Sequence, residues 1–364
     1  MSRYSGVVGF ALRAAEAVDR RADAWKLDQQ YAQEADEAFE RICAHAGRRP
    51  ERRQLDRAEG WARDVLGSDR FAPWLRSYVA WSGEFREGWI PNNFYRRIVL
   101  PAIQGRAQPL ASFKTLARRI MRTDLMPDVA YLVDGNWLDI EGRSIEPRHV
   151  ADLVYRDGPR VVAKADASAQ GRGVTVFERG RDDIVRLTGT GDFVIQRFVR
   201  QAPFFDRFNP TNVATLRITT IKVGCESARL RSAYLRLGRS DTETILAAHN
   251  LRVPIVDDRG SLGEIGVAPD WERLSAHPDS GEAFAGAVIP AFDEARGACE
   301  SLHDRLPHVT VIGWDVAIDA EGRAQVLEWN SFHPGIVFAE MATGPNFADL
   351  GWERLRAGDA VPPC

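Results

Sequence analysis

Cysteine is sparse and scattered. Cys43, Cys225, Cys299 and Cys364 form no CxxC pair, which excludes a zinc ribbon and argues against a disulfide framework. The seven histidines show no HExxH spacing, so a helix-borne zinc hydrolase site is excluded as well. No run approaches the roughly 20 apolar residues that span a bilayer. The apolar stretch near the start, in MSRYSGVVGFALRAAEAVDRR, is too short and too interrupted for a secretory signal. A charge imbalance is also missing: 48 Lys and Arg against 51 Asp and Glu leave −3, which removes a global pull toward nucleic acid or lipid. The expectation is a cytoplasmic protein with neither nucleic-acid nor membrane partners. Its 364 residues, 45% hydrophobic and 27% charged, suffice for two or three domains with sizeable cores.

Residues 11–88 read as helical. Leu27, Tyr31, Ala35, Phe39, Ile42 and Ala46 recur at three- and four-residue spacing, one apolar face closed by Gly47 and Pro50. The following Arg48, Arg49, Arg52 and Arg53 read as a solvated run, and Trp81 and Trp89 as packing residues. After about residue 105 short β-type runs alternate with helical ones. The strands are expected at 129–133, 160–164, 173–178, 192–199, 215–223, 229–237, 309–319 and 324–330, and the helices at 111–122, 147–155, 181–187 and 282–304. Adjacent strand pairs mixed with helices predict an α+β class, not a doubly wound sheet.

Three stretches carry chemistry. In VVAKADASAQGRGVTVFERG, Lys164 ends an apolar run and a small-residue loop follows. An ammonium is costly to bury without an anion, and a loop of small residues can aim several N–H groups at one point, which suits phosphate oxygens. GxxxxGK[ST] is absent, so this is no Walker loop; a hairpin turn with a snorkelling lysine is the plainer alternative.

The second stretch is GWDVAIDAEGRAQVLEWNSFHPG. A two-residue turn at Glu321-Gly322 would set Asp315 directly across from Glu328, with Asn330 two residues on, on the same face. Opposed like charges on a sheet call for a cation, and oxygen ligands of this kind suit Mg²⁺. A surface hairpin with both carboxylates in water is the alternative. The third is FNPTNVATLRITTI, with Arg217 inside a β-branched run. Such an arginine reaches an anion or an acidic partner. Arg231 and Arg236, at odd spacing on the next strand, point to opposite faces, so only one of them would share a cleft with Arg217.

In this order the pieces resemble the ATP-grasp superfamily, and most closely the family described as sugar-transfer-associated ATP-grasp. The lysine of SFKTLARRIMRTDLMP, the strand-end lysine with G-x-G, VIQRFV, T-L-R, GWD and V-L-E-W-N carry the resemblance over residues 90–350. It implies an ATP-grasp fold, two α+β subdomains clasping ATP, behind an N-terminal helical region at 1–100. The ATP-grasp domain would be 101–364, with a small nucleotide-clamping subdomain at about 125–200 and a larger metal-binding one at about 201–350.

The resemblance further implies that Lys114 and Lys164 bind phosphate, that Gly171 and Gly173 lie in the closing loop, and that Gln196, Arg197, Phe198 and Val199 meet adenine, largely through backbone groups. Arg217 would stabilise the phosphoryl group in flight, and Asp315, Glu328 and Asn330 would hold two Mg²⁺ ions. Ala214 and Ala202 depart from the family's Asn and His; Asn212 or Asn250 would compensate. The activity implied is ATP-dependent ligation of a carboxylate to an amine through an acylphosphate, releasing ADP and phosphate. His333 would assist proton removal, and Arg231, Arg236 and the 252–272 loop would contact the small-molecule substrates. The alternatives are a kinase that stops at phosphoryl transfer and a non-catalytic nucleotide-binding regulator.

Overall fold

The computed structural model describes residues 26–166, 168, 173–239, 250–332 and 334–361. Helix α1 covers 26–46. Of its expected apolar face, Tyr31, Ala35, Phe39 and Ile42 are buried, while Leu27 is exposed, as is Ala46 at the far end. Gly47 ends the helix in a left-handed turn (φ 63°). Helix α2 is Arg52–Asp64 and α3 is Ala72–Ser82, the latter with a proline in its first turn and Gly83 as a left-handed cap. Short helical turns fill 92–112. The apolar faces of these helices share one core with Ile221, Val311, Ile336, Met341, Phe347 and Trp352. The N-terminal helices are thus bound to the far end of the chain. Buried Glu340 is the polar joint: it accepts from the amides of Ile90 (3.0 Å) and Asn346 (2.6 Å), and its carbonyl accepts from the Trp89 indole.

Two antiparallel sheets follow. The first has five strands in the order β2-β1-β5-β3-β4, namely β1 Asp128–Val133, β2 Asn136–Asp139, β3 Arg160–Ala165, β4 Val174–Glu178 and β5 Phe193–Arg197. Helix α4, Lys114–Met121, precedes β1, and α5, Pro147–Val154, covers the core formed by Ala130, Leu132, Val161, Ala163 and Ile195. The second sheet has seven strands in the order β10-β9-β8-β7-β6-β11-β12. These are β6 Thr215–Ile221, β7 Arg229–Leu237, β8 Leu251–Pro254, β9 Gly266–Val267, β10 Arg273–Leu274, β11 Val311–Ile318 and β12 Ala324–Asn330. Alternation sorts its faces: Leu216, Ile218, Leu235, Val253, Ile312 and Val316 enter the core under helix α6, Phe292–Asp304. The intervening positions carry Arg217, Tyr234, Arg236 and Asp315 on the other face.

The mixed α+β class and the helical N-terminal region, from residue 26 onward, agree with the sequence reading, whose first part, 11–25, lies outside the described residues; several local readings are corrected. Residues 181–187 hold only a 3-10 turn, Ile184–Leu187, because the Asp183 carboxylate bonds the Val185 amide at 3.1 Å and starts the turn late. The helix expected from 282 begins at Phe292, after Pro290. The 252–272 segment is not a free loop, since β8 and β9 lie in or across it. Cys225 is disulfide-bonded, whereas Cys43 and Cys299 are free and buried.

Candidate active site

The β11–β12 hairpin meets the five-stranded sheet, and this junction gathers Lys114, Lys164, Arg217, Asp315 and Glu328. Asp315 opposes Glu328, as expected, but by another route. The turn is not the two-residue Glu321-Gly322. The Asp319 amide bonds the Arg323 carbonyl at 2.9 Å, leaving a three-residue loop with Gly322 at φ 80°, and the Asp319 carboxylate accepts from the amides of Glu321 and Arg323. This shifts the register by one residue. A bulge on β12 shifts it back, since Val316 pairs Val326 while Asp315 pairs Glu328. Leu327 is the extra residue. Its carbonyl accepts from Lys164 Nζ (3.1 Å) and Gln196 Nε2 (3.3 Å), both on the other sheet.

Lys164, expected at a strand end, is the last residue but one of β3 and is buried. Burial pushes its ammonium pKa down, against the opposing pull of Glu328, Asp128 and Asp315. Lys114 opens α4 and is also buried; its Nζ donates to the Ser168 carbonyl at 2.8 Å and lies 3.7 Å from Glu328 Oε1. Asp166 holds the start of α4 by accepting from the Thr115 amide (3.0 Å) and hydroxyl (2.7 Å). Gly173 is left-handed (φ 81°), and a Cβ there would meet Ala165 and Ser168 at 3.1 Å, so the return into β4 needs glycine. Gly171 and His333 lie outside the described residues.

Gln196 is committed to structure: besides Leu327 it donates to Asp128 Oδ1 at 2.8 Å, and the Tyr131 hydroxyl donates to Asp128 Oδ2 at 3.0 Å. Burial raises the Asp128 pKa in spite of these bonds. In the 197–199 segment, the Arg197 amide donates to Pro127 O (2.9 Å) and the Phe198 amide to Arg160 O (3.3 Å). The Arg160 guanidinium stacks on the Phe198 ring, the Arg197 side chain reaches Gln325 (2.8 Å), and Val199 is buried. Asn212 donates to the Arg239 carbonyl at 2.9 Å, and among the described residues neither side-chain polar atom of Asn250 has a partner.

Arg217 grips Asp315 with two parallel bonds, Nε to Oδ1 at 2.7 Å and Nη2 to Oδ2 at 3.0 Å. Arg236 adds a third, Nη1 to Oδ1 at 3.1 Å. Burial would raise the Asp315 pKa, but the two guanidiniums outweigh it and hold the carboxyl below its usual range. Arg231 lies elsewhere, on Asp349 and over Phe347, so one arginine of the pair shares the cleft. Gly313, opposite Asn330, lets Arg217 pass, since a Cβ there would lie 3.0 Å from Arg217 Nη1. Tyr234 pairs with Arg217 in register. Burial would raise its hydroxyl pKa, yet Arg236, Arg217 and Arg252 outweigh it and the pKa falls.

The cation expected between the opposed carboxylates is therefore partly present in the chain itself. Among the described residues no three His, Cys, Asp or Glu side chains converge. What is offered is two carboxylates and, two residues beyond Glu328, the Asn330 amide. Glu328 is a third exposed and Asp315 Oδ2 takes one described hydrogen bond, so both retain lone pairs. Such hard oxygen donors, few in number, fit Mg²⁺ completed by water and phosphate. Sequence reasoning missed Asp128, Tyr131, Asp166 and the Leu327 carbonyl. Asp166, two residues after Lys164, was the one readable from its position.

The family model described as sugar-transfer associated ATP-grasp matches residues 143–350. Among solved structures, the chain is similar to the biotin carboxylase–β,γ-ATP complex of Campylobacter jejuni, at 13% identity and TM-score 0.40, over 70% of this chain and 47% of that one. It is similar to N5-carboxyaminoimidazole synthetase of Staphylococcus aureus, at 10% identity and TM-score 0.39, over 70% and 54%. It is also similar to the ATP-grasp ligase PsnB complexed with a minimal precursor, at 14% identity and TM-score 0.38, over 69% and 62%. The chain thus spans less than two thirds of each of these structures. No curated protein matches it. Among the described residues no helix is long and apolar enough to cross a membrane.

Proposed function

The chain belongs to the sugar-transfer associated ATP-grasp family, and from that premise we propose that it is an ATP-dependent carboxylate–amine ligase. The observation that carries the reading is the meeting of Lys164 and Lys114 with the Asp315–Glu328 hairpin at one junction of two sheets. Phosphoryl transfer needs positioned charge more than a nucleophilic side chain. Lys114 and Lys164 would bind the triphosphate oxygens, exchanging their present carbonyl partners for them. Gly171 and Gly173 would lie in the loop over the phosphates, and residues Gln196, Arg197, Phe198 and Val199 would border the adenine. Asp315, Glu328 and Asn330 would hold Mg²⁺, whose charge offsets that of the phosphates.

A substrate carboxylate oxygen attacks the γ-phosphorus, the bond from γ-phosphorus to the bridging oxygen breaks, and ADP leaves. The Arg217 guanidinium offsets charge on the phosphoryl oxygens in transit. The amine nitrogen then attacks the acyl carbon, phosphate departs, and the nitrogen gives up one proton. The test is ADP release from pools of acids and amines with Mg²⁺ present. Phosphate release that requires an amine supports ligation; ADP with a stable phosphorylated product and no amine dependence indicates a kinase instead. Nucleotide binding without ADP in every mixture refutes turnover.

A further inference from the structure

Resting on the ligase reading, we propose that Arg252, with Arg236 beside it, forms a subsite for a second oxyanion, carboxylate or phosphate, on the acid substrate. Arg236 and Arg252 stand directly opposite each other on β7 and β8. Two like charges in that register repel, and a sheet tolerates them best with an anion between. Among the described carboxylates, Asp315 is already taken by Arg217 and Arg236, Glu328 acts on Arg236 from farther off, and neither pairs with Arg252. Among the described residues Arg252 makes no ion pair, and its buried Nε has no hydrogen-bond partner. Leaving a buried donor unmet is costly, so an orphan guanidinium nitrogen in a half-buried side chain marks a missing acceptor.

The surroundings orient this guanidinium. Its carbon lies 5.0 Å from the Trp271 ring centroid and 5.4 Å from that of Phe338, and Phe338 packs edge-on against Tyr234 at 4.8 Å. Trp271 has φ 73°, a left-handed backbone that a bulky residue rarely adopts. That strained turn sets the indole over Arg252. Asn250, two residues earlier, is buried, and neither of its amide atoms has a partner among the described residues. Strands β6, β7 and β8 are consecutive, and Arg252 is in register with Arg236 and Thr215, two residues along from Arg217, so two strand spacings across and two residues along set the backbones of Arg252 and Arg217 about 12 Å apart. A substrate whose reacting carboxylate sits at Arg217 reaches Arg252 when several atoms separate its two acidic groups. The planar fork of arginine suits either oxyanion.

The test uses the full chain, with adipate and inorganic phosphate as separate probes and acetate at matched ionic strength as control. Melting temperature and calorimetric affinity are measured for wild type, Arg252→Met and Arg252→Lys, and MgADP affinity is measured in parallel. The expected result is a melting-temperature increment with adipate or phosphate beyond that of acetate. Arg252→Met should bind that probe at least tenfold more weakly, and Arg252→Lys should fall between. Adipate alone assigns a carboxylate, and phosphate alone a phosphate ester. An increment that persists in Arg252→Met, or none with either probe in wild type, overturns the subsite. Failure of wild type to bind MgADP would instead overturn the ligase reading, and the anion titration would still report on Arg252.

Discussion

Lys164 and Leu327, on different sheets, meet at 3.1 Å, ammonium to carbonyl. The acceptor is free to turn toward the lysine because Leu327 is the extra residue of a β-bulge. This contact joins the two sheets beside the acidic hairpin, and the first prediction concerns it.

Replacing Lys164 with Met removes a buried ammonium whose described hydrogen bond is to a neutral carbonyl. ADP formation should fall by about 100-fold or more. Folding stability should hold or rise, because burial already disfavours the charge. Thermal melts with an ADP-release assay check both. Unimpaired turnover would remove Lys164 from the nucleotide site.

Glu328→Gln keeps shape and removes charge from a side chain that is a third exposed. ADP formation should drop by about 100-fold, with the melting temperature within about 2 °C of wild type. Full activity in this variant would show that Glu328 holds no metal.

Asp315→Asn leaves Arg217 and Arg236 facing a neutral amide. Breaking a buried ion pair on one side should lower unfolding free energy by roughly 3 kcal/mol, read as a lower denaturant midpoint at unchanged m-value. A midpoint equal to wild type would mean that the two guanidiniums find another acceptor. That outcome would weaken the structural part of the Asp315 role.

His303 is fully buried between Thr220 (Oγ1 to Nδ1, 2.7 Å) and the Val309 carbonyl (Nε2, 2.7 Å). The carbonyl needs a donor at Nε2. The Trp314 indole donates to the Thr220 oxygen at 2.8 Å, leaving the threonine proton for Nδ1, so the ring is neutral. Burial pushes its pKa down to about 4. The folded value lies below the unfolded one near 6.5, so the contribution is full above about pH 6.5. It is lost as pH falls toward 4, by roughly 3 kcal/mol in all. Melts from pH 7.5 to 4.5 should show this slope in wild type and a shallower one in His303→Gln. Parallel slopes would refute it.

The legible parts of the fold were those set by local pattern. The run RLRSAYLRL became β7 without a residue gained or lost, as AQVLEWN became β12. The missed strands, β2, β8, β9 and β10, span two to four residues, too few for alternation to rise above noise. In the hairpin the expected turn was one residue too short, and the bulge at Leu327 compensated. Neither was readable, because the bulge answers contacts from elsewhere: the Val326 amide bonds Leu125 O at 2.8 Å, and Lys164 and Gln196 take the Leu327 carbonyl.

By itself the amino-acid order determined which side chains face together along each strand, since the two-residue period is a property of the extended backbone. Arg217 on the face opposite Leu216 and Ile218, and Asn330 with Glu328, follow from that alone. Only the tertiary structure decided which charges neutralise which. Asp315 went to two arginines, Lys164 to a carbonyl and Lys114 to a loop, while Arg252 kept an unmatched nitrogen. Electrostatic partners are chosen by distance and burial across strands remote in sequence, and neither quantity is written in local pattern.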